Sequence, residues 1–134
     1  MFVGQHQHAL DQKGRLVVPS AFREDLEGRF YLAIGETGQI DLWPREAFEQ
    51  RAAEKLARSK DNPQGLYELR MFSASASEGR MDTQFRLPIT QELRGRAKLE
   101  LGAQVITIGA IDHVEIWPAE RYSAYEADPS LVGA

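Results

Sequence analysis

Hydrophobic residues recur with two periods along the 134-residue chain, and these periods predict its elements. Short β-branched or apolar runs bounded by Gly, Asp or Pro predict strands, whereas apolar residues three and four apart predict helices. The predicted strands lie at 5–10, 15–18, 30–34, 39–43, 75–81, 86–89, 104–108 and 113–117. The predicted helices lie at 21–26, 44–58, 66–72, 91–97 and 118–127, with a linker at 59–65 and a frayed tail at 128–134.

The segment Asp11-Gln12-Lys13-Gly14 separates the first two predicted strands and has the composition of a tight turn. Asp favours the start of a turn because its side chain bonds the backbone downstream, and Gly14 adopts a positive φ at little cost. The two strands are therefore predicted to pair as a local hairpin. Ser20 is the predicted N-cap of the short helix that follows.

The stretch from Leu10 to Pro19 occurs a second time, 71 residues later, from Met81 to Thr90. Both copies contain a hydrophobic residue, Asp, three further residues, Arg and a short apolar run. Beyond a three-residue insertion the offset becomes 74, so that 41–44 matches 115–118. This match pairs the chain's only two tryptophans, which are predicted to be core anchors. The chain is thus predicted to be a tandem duplication with repeats at 1–62 and 63–134.

A repeat of this size is too small to bury a good core alone, so the two copies are expected to share one. Two copies of one motif within a chain naturally pair about a pseudo-twofold axis. The sequence therefore predicts an α+β fold in which strands of both repeats interleave in a shared barrel, with peripheral helices outside it.

Composition excludes several classes of protein. The chain has no Cys, so it has neither a disulfide framework nor a zinc–thiolate site, and it fits a reducing cytoplasm. No apolar run is long enough to span a membrane. Neither a phosphate-binding glycine loop nor a locally supported Ser-His-Asp arrangement is present. We therefore expect no enzyme activity, no cofactor, no metal, no small-molecule substrate and no membrane partner.

The charge of the chain is unevenly distributed. A net charge of −4 argues against a protein that coats nucleic acid by bulk positive charge. Residues 12–23, however, carry three basic side chains and no acidic one, and residues 83–98 carry four basic side chains and one acidic. The acidic residues concentrate elsewhere, so the two copies of the repeat are basic regions on an acidic body. This pattern suits a local anionic contact.

Arg15 and Arg86 occupy the same position in the two copies, directly after the turn. A planar guanidinium can bond a phosphate, or guanine O6 and N7, in bidentate fashion. The Asp four residues earlier, Asp11 or Asp82, either holds that guanidinium by an ion pair across the turn or caps the turn backbone. Without a ligand, the same residues would form only a salt-bridged hairpin.

The signature hydrophobe-Asp-x-Lys-Gly-Arg-hydrophobe-x-x-Pro, followed by Phe22-Arg23, resembles the MraZ family of bacterial transcriptional regulators, as do the start Met1-Phe2-Val3-Gly4 and the two Trp-Pro segments. The resemblance implies a tandem AbrB-like swapped-hairpin β-barrel that forms ring-shaped homo-oligomers in the cytoplasm, associated with the nucleoid. It also implies binding to repeated double-stranded DNA boxes in the promoter of the operon for cell division and cell-wall synthesis. The DNA-binding residues that it implies are Lys13, Gly14, Arg15, Thr83, Gln84 and Arg86, with Asp11 and Asp82 orienting the turns.

The second copy departs from this pattern at three positions. Thr83 and Phe85 stand where the signature has Lys and Gly, and Pro88 interrupts the apolar strand. Without Gly, either the turn is shaped differently or Phe85 accepts strain.

Other polar residues allow further interpretations. His6 and His8 point to one face of a strand and could bind a metal with Asp11 or His113, although a polar strand face is the simpler interpretation. Arg23 and Arg94 open short helices, where they either reach phosphate or pair with nearby acids. The competing class of protein is an AbrB-like protein-interaction or antitoxin-type module that docks another protein through its acidic helices.

Overall fold

The computed structural model describes residues 1–131, and all eight predicted strands and five predicted helices are present there with shifted boundaries. The strands are β1 (Gln5–Ala9), β2 (Arg15–Val17), β3 (Phe30–Ile34), β4 (Ile40–Pro44), β5 (Ser77–Gly79), β6 (Arg86–Pro88), β7 (Gln104–Gly109) and β8 (Val114–Pro118). The helices are α1 (Ser20–Arg23), α2 (Arg45–Arg58), α3 (Pro63–Ser75), α4 (Gln91–Ala97) and α5 (Ala119–Ala127), with 3-10 turns at Glu24–Leu26 and Pro129–Leu131. No helix within residues 1–131 has both the length and the apolar character needed to cross a bilayer.

Strands from the two halves of the chain interleave in antiparallel sheets. One sheet has six strands in the order β1-β7-β8-β4-β3-β5, and β2 and β6 form a separate two-stranded ribbon. β1 from the first half pairs with β7 from the second, and β5 from the second half pairs with β3 from the first. The predicted interleaving is therefore present, in a mixed α+β fold whose larger sheet is open.

The prediction that β1 and β2 pair with each other as a local hairpin is wrong. The tight turn between them forms, with the Gly14 amide donating to the Asp11 carbonyl at 3.1 Å and the Asp11 amide to the Arg15 carbonyl at 3.0 Å. The two strands then diverge, β1 to β7 and β2 to β6. Divergence lets the fully buried Leu16 meet its counterpart Leu87 in the core, a contact that a local hairpin could not provide.

Two strand pairs define the pseudo-twofold axis. In the ribbon, Leu16 lies opposite Leu87, its own counterpart in the repeat. In the larger sheet, Asp41 of β4 lies opposite Glu115 of β8, which is again its own counterpart. A residue that pairs with its own copy lies on the symmetry axis, so the axis passes through both pairs.

The main core lies between the ribbon and the larger sheet. A single buried cluster joins the inner residues of the ribbon, Leu16 and Leu87, to apolar residues of the sheet and of α1 and α4. A second, smaller cluster on β3, β4, α2 and α3 contains Trp43 and Phe72. Trp117 is also buried and packs against Tyr122 and Tyr125 of α5, so both tryptophans are core residues, as predicted.

Two boundary predictions were wrong. Ser20 is the first residue of α1 and makes no capping bond. Helix α3 begins at Pro63, inside the predicted linker, because the Asn62 side chain accepts from the Gly65 amide at 3.1 Å and Pro suits the first helical position. In the predicted tail, 129–131 form a 3-10 turn; residues 132–134 lie outside the described part.

Candidate nucleic-acid interface

The carboxylate of Asp11 organises the first turn through both of its oxygens. Oδ1 accepts hydrogen bonds from the backbone amides of Lys13 at 2.9 Å and Arg15 at 2.8 Å. Oδ2 accepts from the side-chain Nε of Arg15 at 2.7 Å. The two roles that the sequence left as alternatives, backbone cap and guanidinium holder, are therefore performed together.

The second turn repeats this geometry. Asp82 Oδ1 accepts from the amides of Gln84 at 2.8 Å and Arg86 at 2.9 Å, and Oδ2 accepts from Arg86 Nε at 2.7 Å. Phe85 adopts φ +61°, close to the +77° of Gly14 at the equivalent position. Of the two outcomes expected when Gly is absent, Phe85 accepts the left-handed backbone and the shape of the turn is kept.

The pKa values of both aspartates are lowered by these hydrogen bonds. The Arg15 amide, followed by the Arg15 side chain and the Lys13 amide, stabilises the charged form of Asp11 and lowers its pKa from the ordinary 3.8. The Arg86 amide has the same effect on the pKa of Asp82. Both carboxylates are therefore ionised at neutral pH, and each holds its arginine by a charge-assisted bond.

The ribbon places both arginines on one outer face. Leu16 and Leu87 point into the core, so the residues on either side of them in each strand point outward. Arg86 lies opposite Val17, which is two residues from Arg15 and 47% exposed. Two residues along a strand correspond to roughly 7 Å. The aspartates bond only Nε of Arg15 and Arg86. Within residues 1–131, the terminal amino groups of both guanidinium groups have no hydrogen-bond partner.

Backbone hydrogen bonds fix the two turns against this ribbon. The Val18 amide donates to the Phe85 carbonyl at 2.9 Å, and the Ile89 amide donates to the Gly14 carbonyl at 2.9 Å. These two bonds are equivalent under the repeat, so each turn is held by the strand end of the other copy. The two arginines and the two turns therefore belong to one rigid body.

The remaining predicted contact residues surround this face. Lys13, Thr83 and Gln84 are exposed at the tips of the turns, whereas Gly14 is buried beneath a side chain from the other copy. Lys13 is thus placed to reach an external anion, and Gly14 acts through backbone shape.

Arg23 and Arg94 adopt an arrangement that the sequence did not predict. Each donates to the carbonyl at the end of the preceding strand, Val18 or Ile89, and neither pairs with the nearby acids considered from the sequence. The Arg23 guanidinium lies 4.1 Å from the centre of the Phe85 ring. A Cβ on Gly14 would overlap Nη1 of Arg94. Each arginine therefore covers the turn of the other copy and adds positive charge there. The equivalence of residues 23 and 94 was visible in the sequence, but the exchange of turns was not.

The histidine pair suggested as a metal site is used otherwise. His6 packs edge-on against Phe22, and His8 Nε2 shares a hydrogen bond of 2.5 Å with the hydroxyl of Thr107. Within residues 1–131, the one group of potential ligands close enough to share an ion contains neither of them; it consists of Asp41, His113 and Glu115.

Fold and site together define a class: a tandem-repeat α+β protein with an Asp-anchored arginine after the turn of each copy. The chain matches the family described as "MraZ protein, putative antitoxin-like" over residues 1–66 and 71–131. It is 37% identical over 128 residues to a protein of Corynebacterium glutamicum named transcriptional regulator MraZ, covering 96% of this chain and 88% of that protein. The protein of the same name from Corynebacterium diphtheriae is 38% identical over the same shares, and that from Mycobacterium leprae is 34% identical over 94% of this chain and 87% of that protein.

This chain belongs to the MraZ family. Its curated relatives are named as transcriptional regulators and not as enzymes, which confirms both the resemblance predicted from the duplicated turn and the expectation that the chain is not an enzyme.

Proposed function

We propose that this protein is a sequence-specific DNA-binding transcriptional regulator and that the outer face of the β2–β6 ribbon is its DNA-contacting surface. The observation that carries the proposal is the pair of Asp-held arginines on one exposed face, with their terminal amino groups directed to no protein partner in residues 1–131. The names of the relatives support the same function.

A two-stranded antiparallel ribbon such as β2–β6 suits the major groove. B-form DNA admits a two-stranded β-ribbon in that groove, where a guanidinium fork can bond O6 and N7 of guanine together. Because Asp11 and Asp82 fix Nε, Arg15 and Arg86 each present their two terminal amino groups in a set direction. Lys13 and the amide and hydroxyl groups of Gln84 and Thr83 contact the adjacent backbone phosphates. Arg23 and Arg94 add charge beside the turns.

A single chain makes few phosphate contacts, and its net charge of −4 opposes them. Affinity per chain is therefore low and strongly salt-dependent. A ring-shaped homo-oligomer bound to repeated promoter boxes recovers affinity through effective concentration. The exchange of strands between the two halves supports the proposal of an AbrB-like swapped-hairpin barrel built from repeats at 1–62 and 63–134. From the resemblance to MraZ we propose that the boxes lie upstream of the cell-division and cell-wall operon and that the protein is associated with the nucleoid.

The test is a gel shift with DNA from upstream of the protein's own gene. Arg15→Ala is expected to abolish specific binding, with the circular dichroism spectrum and oligomeric state unchanged. Arg45→Ala is the matched control, because Arg45 also donates Nε to a carboxylate four residues away, that of Glu49, at 3.0 Å, but on α2. Unchanged affinity of Arg15→Ala, or equal loss in Arg45→Ala, would refute the assignment.

Arg15→Lys separates base recognition from phosphate contact. Lysine keeps the charge but lacks the planar fork. If Arg15 reads a guanine, this variant loses specific binding and keeps weak nonspecific binding. If Arg15 contacts only phosphate, the lysine ammonium replaces that contact, so specific and nonspecific binding are both largely kept.

One observation favours a second candidate function. The family description includes the words "antitoxin-like", which fits a module that docks another protein through acidic helices. A stable complex with a second protein from the same cells, together with no shift of any upstream DNA, would favour that module over the regulator.

A further inference from the structure

The pseudo-twofold axis also passes through a buried polar site in the larger sheet, between β4 and β8. Its residues are distant in sequence from the arginine-bearing turns. Asp41 of β4 and Glu115 of β8 lie opposite each other in the sheet, and each has a polar neighbour two residues earlier in the chain. Gln39 donates to Asp41 Oδ1 at 3.0 Å, and in the equivalent positions His113 Nε2 lies 2.9 Å from Glu115 Oε2. The site thus combines Gln and Asp from one copy with His and Glu from the other.

We infer that Asp41, His113 and Glu115 form a binding site for a divalent transition-metal cation, with Zn²⁺ as the best-matched ion. One ligand atom from each residue lies within 4.8 Å of the others. His113 Nε2 is 2.9 Å from Glu115 Oε2 and 3.9 Å from Asp41 Oδ1. These two separations bracket the roughly 3.3 Å between neighbouring ligand atoms of a tetrahedral zinc ion. The inference is independent of the proposed DNA-binding function.

The orientation of His113 is that of a metal ligand. Its Nδ1 lies 2.7 Å from Asp112 Oδ1, and its Nε2 faces Glu115 Oε2 across the site, so a cation that displaces the Nε2 proton would bind between them. A carboxylate behind the imidazole is the usual outer partner of a metal-bound histidine. Without a proton or a cation between them, the Nε2 lone pair and the Glu115 oxygen would repel each other at 2.9 Å. A proton on Nε2 fills this place when no metal is bound, and a divalent cation would displace it.

A second, independent observation points to a ligand in the same place. The three residues line a cavity of about 190 Å³ together with Trp43. Trp43 is 2% exposed, and its Nε1 is buried with no hydrogen-bond partner in the described chain. Its counterpart Trp117 donates to Glu115 Oε1 at 3.0 Å. Asp41 is one methylene shorter than Glu115, which leaves the equivalent bond from Trp43 unmade. A water molecule completing the shell of a bound ion would supply the missing acceptor.

The local charge favours a cation. Lys55 and Arg51 also line the cavity, but Lys55 is paired with Glu36 at 3.0 Å and Arg51 lies over the Trp43 ring. In residues 1–131 no lysine or arginine forms an ion pair with Asp41 or Glu115, whose carboxylates face each other across the paired strands. Asp41 is 4% exposed, and a desolvated carboxylate is costly without an opposite charge. One imidazole and two carboxylates bind Zn²⁺ in preference to Mg²⁺, which demands an octahedral oxygen shell.

The decisive experiment is a calorimetric titration of the full chain with ZnCl₂ at neutral pH. We expect one Zn²⁺ per chain, with binding lost in Glu115→Gln and His113→Gln. Asp112→Asn keeps His113 in place and is expected to weaken binding by roughly ten- to a hundredfold. His8→Gln is the matched control, because His8 is a histidine bonded within a strand pair at the edge of the same sheet, where β1 lies two strands away from β8.

A second measurement needs no variant. Co²⁺ in place of Zn²⁺ is expected to give the visible absorption of a tetrahedral nitrogen–oxygen site in the wild-type chain, and Zn²⁺ should displace it. No binding of either ion by the wild-type chain would overturn the inference. So would zinc binding that is lost in His8→Gln and kept in His113→Gln, since that result would place the ion on the β1 histidines.

Discussion

The two turns show how one backbone conformation is stabilised by different residues. Gly14 adopts φ +77° without a side chain, and the Arg94 guanidinium occupies the space where a Cβ would lie. Phe85 adopts φ +61°, which costs an ordinary residue about 1–2 kcal/mol. Its ring meets the Arg23 guanidinium at 4.1 Å, and a cation–π contact returns about 0.5–1 kcal/mol at an exposed site. The partner arginine thus compensates for part of the strain.

Gly14→Ala is therefore expected to destabilise the protein by about 1–2 kcal/mol. The new Cβ meets both the left-handed backbone and the Arg94 side chain, which must move away from its position over the turn. The measurement is urea unfolding monitored by circular dichroism. Gly95→Ala is the control: Gly95 lies inside α4 with open space around it, and alanine there should stabilise by about 0.5–1 kcal/mol. Equal effects of the two changes would contradict this account.

The lowered pKa values of the two aspartates imply that the stability of the fold changes with pH in a definite direction. Because the pKa of Asp11 is lowered in the folded state, its contribution to stability is fully present above its ordinary value of 3.8 and is lost as pH falls through the lowered value. The stability difference between wild type and Asp11→Asn should therefore be constant at neutral pH and shrink below about pH 4. Urea unfolding at a series of pH values measures it. If the stability difference grew on acidification instead, the ionised form of Asp11 would not be the form that stabilises the turn.

At the scale of elements, local chemistry was predictable and partner choice was not. The Asp–Gly turn, the strand after it and the position of Arg15 follow from residues within five positions of one another. The pairing of β1 with β7 depends on residues about a hundred positions apart, and nothing in β1 specifies that partner. For the same reason, the placement of Arg94 over Gly14 could not be predicted. Asn62 followed by Pro63 is a helix-start signal that the sequence does contain, and the linker prediction missed it.

The ribbon depends on the pair at its centre. Leu16→Ala is expected to destabilise the fold by about 2–5 kcal/mol, because Leu16 is fully buried and paired with Leu87 on the axis. The variant should also lose DNA binding under conditions where it is partly unfolded. Leu56→Ala is the control, since Leu56 is 50% exposed on α2 and its loss should change stability by less than about 0.5 kcal/mol. Chemical denaturation of both variants measures this difference. Equal stabilities of the two variants would show that the ribbon pair is dispensable for the fold.

At the scale of the whole molecule, the duplication produces one interdependent body. Each half supplies an edge strand of the larger sheet that pairs with a strand of the other half, and each half supplies one strand of the ribbon. The pseudo-twofold axis then places two arginines on one face and a His–carboxylate site on another pair of strands. A duplicated sequence thereby yields two equivalent arginine-bearing turns at a fixed spacing, which a single copy could not hold.

This interdependence predicts that neither half folds alone. A peptide of residues 1–62 retains the β3–β4 pair but loses the partners of β1 and β2, which exposes the inner face of the ribbon. We expect it, and a peptide of residues 63–134, to show the circular dichroism of unfolded chains, and an equimolar mixture to regain the native spectrum. The control is the full-length chain cut at a specific protease site inserted between the exposed Lys60 and Asp61, which should stay folded. Cooperative unfolding of residues 1–62 alone would show instead that each copy is an independent domain and that the exchanged strands are not required for stability.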